Sequence, residues 1–330
     1  MKILIIKPSS LGDIIQANPV LAALKESYPG CSITWLVFDL WQGAITLFPG
    51  VTSKIIWNKK GGLSEIFRII NEVRKSRFDL VIDLQGLFRT AVVAFFSGAP
   101  VKIGVPGMKE LSWLMLREAY PQSRNLHAVQ RCLEAVRWLT GKKYDAKFDI
   151  SVPSDADRDA GNMIKDAGFG GDVVLLGIVP HARGRAKNWP DEHYVKLFDL
   201  LKTLQKRVVA VIFGSKESAG RFLVPGKDIL DLCGKTSLVQ LAAVLKRCSA
   251  VVGGDTGPVH IAAALGIQTL TIFGGSDINE TSPLGPGAVN LTRNFSCSPC
   301  RARPVCRDFR CLSEIKPEEV FEEIRKKIKA

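Results

Sequence analysis

Two segments near opposite ends of the chain share one design: an apolar strand, a short loop carrying an acid, then a helix. Lys2-Ile3-Leu4-Ile5-Ile6-Lys7 reads as a short buried strand. Pro8-Ser9-Ser10-Leu11-Gly12-Asp13 follows as a turn, and the spacing of Ile15, Val20, Leu21 and Leu24 predicts a helix over 14–27. Late in the chain Ala250-Val251-Val252-Gly253 is again a buried strand. Gly254-Asp255-Thr256-Gly257 is its loop, followed by Pro258 and His260, and Ile261 to Gly266 is a helical turn ended by glycine. In open α/β sheets ligands sit where strands end and helices begin, because helix N-termini offer unpaired N–H groups and positive dipole ends. A polar Asp-Thr-Gly loop in that place costs stability unless its groups find partners. Asp13 would stand at or near a helix N-cap, and capping alone is a sufficient use for it.

Strands and helices alternate between these two loops. Strands are expected at 2–7, 33–38, 79–83 and 100–103, with helices at 14–27, 64–76 and 127–140. A boundary rich in Pro, Asp and Ser spans Ser151 to Asp157. A helix follows at 158–167 and is broken by Gly168-Phe169-Gly170-Gly171. The pattern then restarts with strands at 173–178, 208–213, 249–252 and 268–273, and ends in an amphipathic helix at 317–328. The chain is α/β with mainly parallel sheets. At 330 residues it is too long for one ordinary core. The divisions expected are residues 1–157, 158–316 and a terminal helix at 317–330.

The net charge of +13 draws attention to polyanions: nucleic acid, an anionic membrane surface or a phosphorylated substrate. Against nucleic acid, the aromatic residues are few and not interleaved with the basic clusters as stacking platforms would be. No apolar stretch reaches the roughly 18–20 residues that span a bilayer; Thr90 to Ala99 is about half that. The N-terminus enters a strand at once, without the pattern of a secretory leader, so a cytoplasmic location is expected. The Gly214-Ser215-Lys216-Glu217 loop lacks the G-x-G-x-x-G series, and so does the first loop, where Pro8-Ser9-Ser10-Leu11-Gly12 has a single glycine; this argues against a dinucleotide dehydrogenase.

Five short motifs in order resemble the family of ADP-heptose:lipopolysaccharide heptosyltransferases. They are Ser9-Ser10-Leu11-Gly12-Asp13, Asp83-Leu84-Gln85-Gly86-Leu87, Val101-Lys102-Ile103-Gly104, Lys187-Asn188-Trp189-Pro190 and Gly254-Asp255-Thr256-Gly257-Pro258-Val259-His260. They span nearly the whole chain and look more like the enzymes adding the first inner-core heptose than those adding the second. The resemblance implies a GT-B architecture: two Rossmann-like domains with parallel sheets facing a central cleft, acceptor on the first, donor on the second. In that architecture the terminal helix packs back toward the first domain. The implied reaction moves L-glycero-D-manno-heptose from ADP-heptose to a Kdo-lipid A acceptor at the inner leaflet, inverting the anomeric centre, with no cofactor required. The enzyme would be cytoplasmic and peripheral to the inner membrane, with no nucleic acid as partner. A related transferase with another donor sugar or a later core acceptor is the alternative. A basic nucleic-acid-binding protein is the rival from another class, on charge alone.

Such a transfer needs the leaving diphosphate neutralised, the acceptor hydroxyl aimed, and its proton taken. The resemblance places the base at Asp13, since a carboxylate of ordinary pKa is already ionised at neutral pH. Lys187 is the diphosphate clamp, a point charge suited to a phosphate oxygen, with Arg183 and Arg185 as further cations of the same loop. Thr256 and Gly257 would offer a hydroxyl and backbone N–H groups. Asp255 would repel the diphosphate and so is expected to face a sugar hydroxyl. His260 is either a donor contact or a core residue. Glu217, beyond the strand at 208–213, is the candidate for the ribose hydroxyls. Ser10, Gly12, Lys60 and Gln85 are the acceptor-side candidates.

Four of the eight cysteines, Cys31, Cys132, Cys233 and Cys248, stand mostly in apolar contexts and read as small core residues. The other four, Cys297, Cys300, Cys306 and Cys311, have the compact spacing of a structural zinc or iron site. Four reduced thiols in a basic loop is the competing reading. In that case Arg301, Arg303, Arg307 and Arg310 would be free to face an anionic lipid surface.

Overall fold

The computed structural model describes residues 1–119, 125–223, 228–300, 306 and 308–328. The chain divides into two compact units, Met1–Ser151 and Val152–Ala330. The division falls six residues before the expected one, because the helix Ser154–Asp166 packs with the second unit.

The first unit runs β1 (Lys2–Ile6), α1 (Leu11–Ala17), α2 (Pro19–Ser27), β2 (Ser32–Phe38), α3 (Gln42–Ile45), β3 (Ser53–Trp57), α4 (Gly62–Ser76), β4 (Leu80–Asp83), α5 (Phe88–Phe95), β5 (Val101–Gly104), β6 (Arg117–Glu118) and α6 (Ala128–Thr140). The second runs α7 (Ser154–Asp166), β7 (Val174–Val179), α8 (Asp191–Leu201), β8 (Val208–Ile212), β9 (Ile229–Asp231), α9 (Leu238–Lys246), β10 (Ala250–Gly254), α10 (Gly257–Ala264), β11 (Gln268–Ile272), α11 (Ile278–Thr281), β12 (Ala288–Leu291), α12 (Arg310–Ser313) and α13 (Pro317–Ile328).

Each unit holds a six-stranded sheet among its described residues, in the orders β3-β2-β1-β4-β5-β6 and β9-β8-β7-β10-β11-β12, with every pairing parallel. A strand covered on both faces must be apolar at nearly every position. Ile3 to Ile6 and Val251 to Val252 are accordingly fully buried. In both sheets the chain starts in the middle, winds outward one way, then returns and winds the other. The reversal opens a crevice beyond the strand ends, between β1 and β4 in one sheet and between β7 and β10 in the other. Both acid-bearing loops found in the sequence lie at these two points.

One expectation about the helices is corrected. The single helix at 14–27 is two helices, because Pro19 has no N–H to continue the ladder and starts α2 afresh. Asn18 at the joint is fully buried, and its amide and carbonyl bond the backbone of Asp149 at 2.9 and 2.7 Å. The terminal helix α13 lies against α8, β10 and β11 of its own unit. Its stripe of Val320, Phe321, Ile324 and Ile328 completes that unit's own core, which satisfies the apolar face locally.

Candidate functional site

In the second unit, β7 leads into a loop that closes on itself. Asn188 Oδ1 accepts from the backbone N–H of Ala182 at 2.7 Å. Trp189, 1% exposed, donates its indole N–H to Ile315 O at 2.9 Å, and Pro190 opens α8. The Lys187-Asn188-Trp189-Pro190 motif is thus a clasp, an anchor and a helix start that together present Lys187. Its ammonium lies 2.6 Å from Asp255 Oδ2, in the loop after β10. Asp255 is buried and also receives His260 Nε2 on Oδ1 at 3.1 Å and Thr281 Oγ1 on Oδ2 at 3.3 Å. Burial alone would raise its pKa. The hydrogen bond and charge of His260 and the nearby Lys187 outweigh that and hold the carboxylate well below its usual range.

Gly254 explains how the two loops meet. A Cβ on it would fall 2.1 Å from the carbonyl oxygen of Lys187, so only glycine lets the end of β10 touch the clasp. Beyond it, Thr256 caps α10 with extended backbone, and the helix opens on Gly257 and Pro258. The first-turn N–H groups of Gly257 and Val259 have no helical carbonyl to meet. The Thr256 hydroxyl is buried without a hydrogen-bond partner in the structure. A buried hydroxyl beside first-turn N–H groups and an ammonium is a set of donors suited to an anion.

In the first unit, Ser10 caps α1 and Asp13 stands in the first turn. Asp13 Oδ2 accepts from Ser10 N at 2.9 Å and Ser10 Oγ at 2.6 Å. The capping expected of Asp13 is therefore present. Asp13 also lines a cavity of about 200 Å³ with Lys7, Gln16, Gln85, Lys109 and Arg131. Three cations against one acid make the cavity electropositive. Lys7 is buried and donates to Leu84 O at 2.9 Å, tying the end of β1 to the β4–α5 turn.

That turn is organised by Asp83, which is fully buried. Its Oδ1 accepts from the backbone N–H of Gln85 at 2.9 Å and Gly86 at 3.2 Å, and its Oδ2 from Thr90 Oγ1 at 2.9 Å. Burial pushes the Asp83 carboxyl up to about 6 against these bonds. The amide oxygen of Gln85 is buried without a hydrogen-bond partner.

Of the acceptor-side candidates, Gln85 lines the Asp13 cavity; Ser10 orients Asp13; Gly12 is its neighbour in α1. Lys60 is exposed beyond β3 and is not among the cavity's lining residues. On the other side, Lys187, Asp255, Thr256, Gly257 and His260 are brought together. Arg183 is exposed in the same loop, and Arg185 stacks over Phe309 at 5.5 Å. Asp255 differs from expectation: both its oxygens are engaged by Lys187, His260 and Thr281, so it orients those groups instead of standing open toward a sugar hydroxyl. Glu217 is exposed in the turn Lys216–Ser218 after β8, its pKa lowered by a hydrogen bond from Ser215.

Lys7, Lys109, Arg131 and the buried role of Asp83 escaped the sequence reading. A lysine ending a fully apolar strand was the available signal for Lys7. Nothing local marked Arg131, which reaches the cavity from α6. His181, bonded to Ser218 Oγ at 3.2 Å and Asp191 Oδ1 at 3.1 Å, was likewise unmarked.

The four late cysteines follow β12 in the second unit, and none is in a disulfide. Among the described residues no three His, Cys, Asp or Glu side chains form a group that could hold a metal ion. Burial, then the nearby Cys306, Cys300 and Cys297, raises the Cys311 thiol. Arg301, Arg303 and Arg307 lie outside the described residues. Arg310 is held by Asp308 at 3.0 Å and over the Phe295 ring at 5.3 Å.

Residues 66–307 match the model of glycosyltransferase family 9 (heptosyltransferase). The chain is 28% identical over 316 residues to lipopolysaccharide heptosyltransferase 1 of Pseudomonas aeruginosa, covering 91% of this chain and 86% of that one. A family 9 glycosyl transferase from Veillonella parvula superposes with a TM-score of 0.90 at 21% identity, over 100% of this chain and 98% of that one. The E. coli ADP-heptose lps heptosyltransferase II superposes at 0.83 and 23% identity, over 99% and 98%. Likeness at these identities carries the fold, and it bears out the expected GT-B class.

Proposed function

The chain belongs to glycosyltransferase family 9, the heptosyltransferases, and on that premise we propose that it moves L-glycero-D-manno-heptose from ADP-heptose to the Kdo-lipid A inner core of lipopolysaccharide. The observation that carries this reading is Asp13 on the wall of a cation-lined cavity at one switch point, matched by the cation and helix N-terminus at the other. The first unit is read as the acceptor side and the second as the donor side. Similarity to an ADP-heptose-named relative supports the donor.

In the proposed step the acceptor hydroxyl oxygen attacks the anomeric carbon of the heptose. Asp13 takes the hydroxyl proton as the new C–O bond forms. The bond from the anomeric carbon to the diphosphate oxygen breaks on the opposite face, so the centre inverts. ADP departs with its added charge met by Lys187, Arg183, the Thr256 hydroxyl and the first-turn N–H groups of α10. Asp255 and His260 hold Lys187 in place. Lys7, Lys109 and Arg131 suit an acceptor bearing carboxylates or phosphates. Glu217 is retained as the ribose candidate because it follows β8, next to the β7 loop.

The relatives include both a heptosyltransferase 1 and a heptosyltransferase II, so a later core acceptor is the second reading. Among the described residues no helix is long and apolar enough to cross a membrane, and a cytoplasmic protein peripheral to the inner membrane is proposed. The test is a donor and acceptor screen with purified protein, scored by released nucleoside diphosphate. ADP release from ADP-heptose only with a Kdo-terminated acceptor is expected. Release with a heptosylated acceptor only would establish the second reading. Release from neither would overturn both.

A further inference from the structure

Large apolar side chains are usually exposed singly, and a group of them on one face marks an interaction surface. The first unit exposes such a group. Leu63 and Phe67, one turn apart on α4, are 75% and 70% exposed. Phe88 opens α5 and is 45% exposed; Leu111 and Leu114, in and beside the turn Ser112–Leu114, are 54% and 74% exposed, with Trp113 between them at 48%. These elements are neighbours: α5 packs against both α4 and the Ser112–Leu114 turn. A backbone bond from Lys109 N to Gly86 O at 2.8 Å and a bond from the Phe88 N–H to the Glu110 carboxylate Oε2 at 3.2 Å stitch the α5 start to the turn.

All of them follow the C-terminal ends of β3, β4 and β5, the edge of the sheet that also carries Asp13. The inner sides of α4 and α5 are spent on the core through Ile69, Val73, Ala91 and Ala94. Leu63 and Phe67 therefore stand exposed among the polar residues of the outer side of α4 with no packing role in the core.

Cations flank this face. Lys59 and Lys60 precede Leu63 and Lys109 precedes Leu111, all three exposed. The nearest acids are engaged: Glu65 with Arg68 at 2.6 Å, and Glu110 with the Phe88 N–H. A second protein would need partners for these cations and a matching apolar shape. A bilayer with anionic headgroups supplies both at once.

We propose that the face made by α4, the start of α5 and the Leu111–Leu114 turn docks on an anionic lipid bilayer, with Leu63, Phe67 and Leu114 entering the headgroup–acyl boundary. This sets the Asp13 cavity at the membrane surface, since Leu87 and Lys109 line that cavity while Phe88 and Leu111 stand beside them in the chain. It rests on the transfer reading only for its purpose; the contact itself stands on exposure and charge.

The test uses the full chain and vesicles without any acceptor, of phosphatidylcholine alone or mixed with phosphatidylglycerol. Binding to the mixed vesicles, weakened by added salt, is expected. The Leu63→Ser/Phe67→Ser double variant, changed only at exposed positions, should lose on the order of tenfold or more in partition while keeping its melting temperature and its affinity for ADP. Trp113→Phe should remove part of the blue shift in emission that the vesicles cause. No vesicle binding, or undiminished binding by the double variant, overturns the proposal. So does concentration-dependent dimerisation that the double variant abolishes, which would assign the face to a second copy. Because no acceptor is present, failure here leaves the ADP-release test of function untouched.

Discussion

Lys187 and Asp255 lie 68 residues apart in sequence, yet their charged groups meet at 2.6 Å where the β7 and β10 loops converge. The pair stands at the switch point of the second sheet, with the lysine 30% exposed and the carboxylate 6%. One partner therefore faces outward and the other is structural support.

Removing either partner is expected to have unequal effects. Lys187→Ala strands a buried carboxylate that keeps His260 and Thr281, so the stability loss is about 1–3 kcal/mol, at the low end because the pair is partly solvated. Its ADP affinity should fall on the order of tenfold. Asp255→Ala leaves Lys187 charged but unoriented, and should weaken ADP less while costing more stability. Calorimetry with ADP and thermal melts on both variants and the double variant measure this. Wild-type ADP affinity in Lys187→Ala would sink the clamp assignment.

Stability against pH should carry two opposite signatures. Asp255 has a folded pKa below its unfolded value. Its contribution is full above about pH 4 and is lost as pH falls further. Asp83 has a folded pKa of about 6, above its unfolded value of about 4. Its folded form takes up a proton first, so this group stabilises as pH falls from about 6 toward 4, by on the order of 3 kcal/mol at most. Urea midpoints from pH 7 to 3 test both. Asp83→Asn should flatten the upper window and Asp255→Asn the lower; a profile unchanged in either variant removes that residue from the account.

The fold was largely legible because parallel strands covered on both faces must be apolar runs, and such runs with helical spacing between them admit few topologies. Both switch-point loops could be placed for the same reason. What stayed hidden was contact at a distance. Nothing around Lys187 says that Asp255 will neutralise it, and Arg131 reaches the Asp13 cavity from a helix that looks ordinary. The stripe of α13 likewise stated that a face is buried without stating that α8, β10 and β11 are what it meets.

Gly254 offers a test of the loop contact that leaves every charge in place. In Gly254→Ala the new methyl meets Lys187 O at 2.1 Å, so β10 or the clasp must shift. A loss of about 1–3 kcal/mol is expected, as for other overpacked sites, together with weaker ADP binding. Gly170→Ala is the control, since its Cβ would meet only Lys165 Cγ at 3.6 Å, an ordinary contact. Equal melting temperatures for the two variants would mean that the loops do not touch as described.

Asp13 combines a structural and a chemical role, and the two separate by magnitude. Its hydrogen bonds from Ser10 N and Oγ are those of a helix cap, and losing a cap costs about 1 kcal/mol. A positioned general base contributes on the order of 10²–10⁴-fold to turnover. Asn retains an acceptor oxygen and so preserves much of the cap, but it cannot take up a proton at neutral pH. Asp13→Asn is therefore expected to melt close to wild type, bind ADP equally, and lose on the order of 10²–10⁴-fold in kcat. Asp13→Ala should show the same kinetic loss plus the cap's cost in stability. If Asp13→Asn kept near-normal turnover while Asp13→Ala lost only stability, Asp13 would be a cap alone. The proton acceptor would then have to be sought elsewhere.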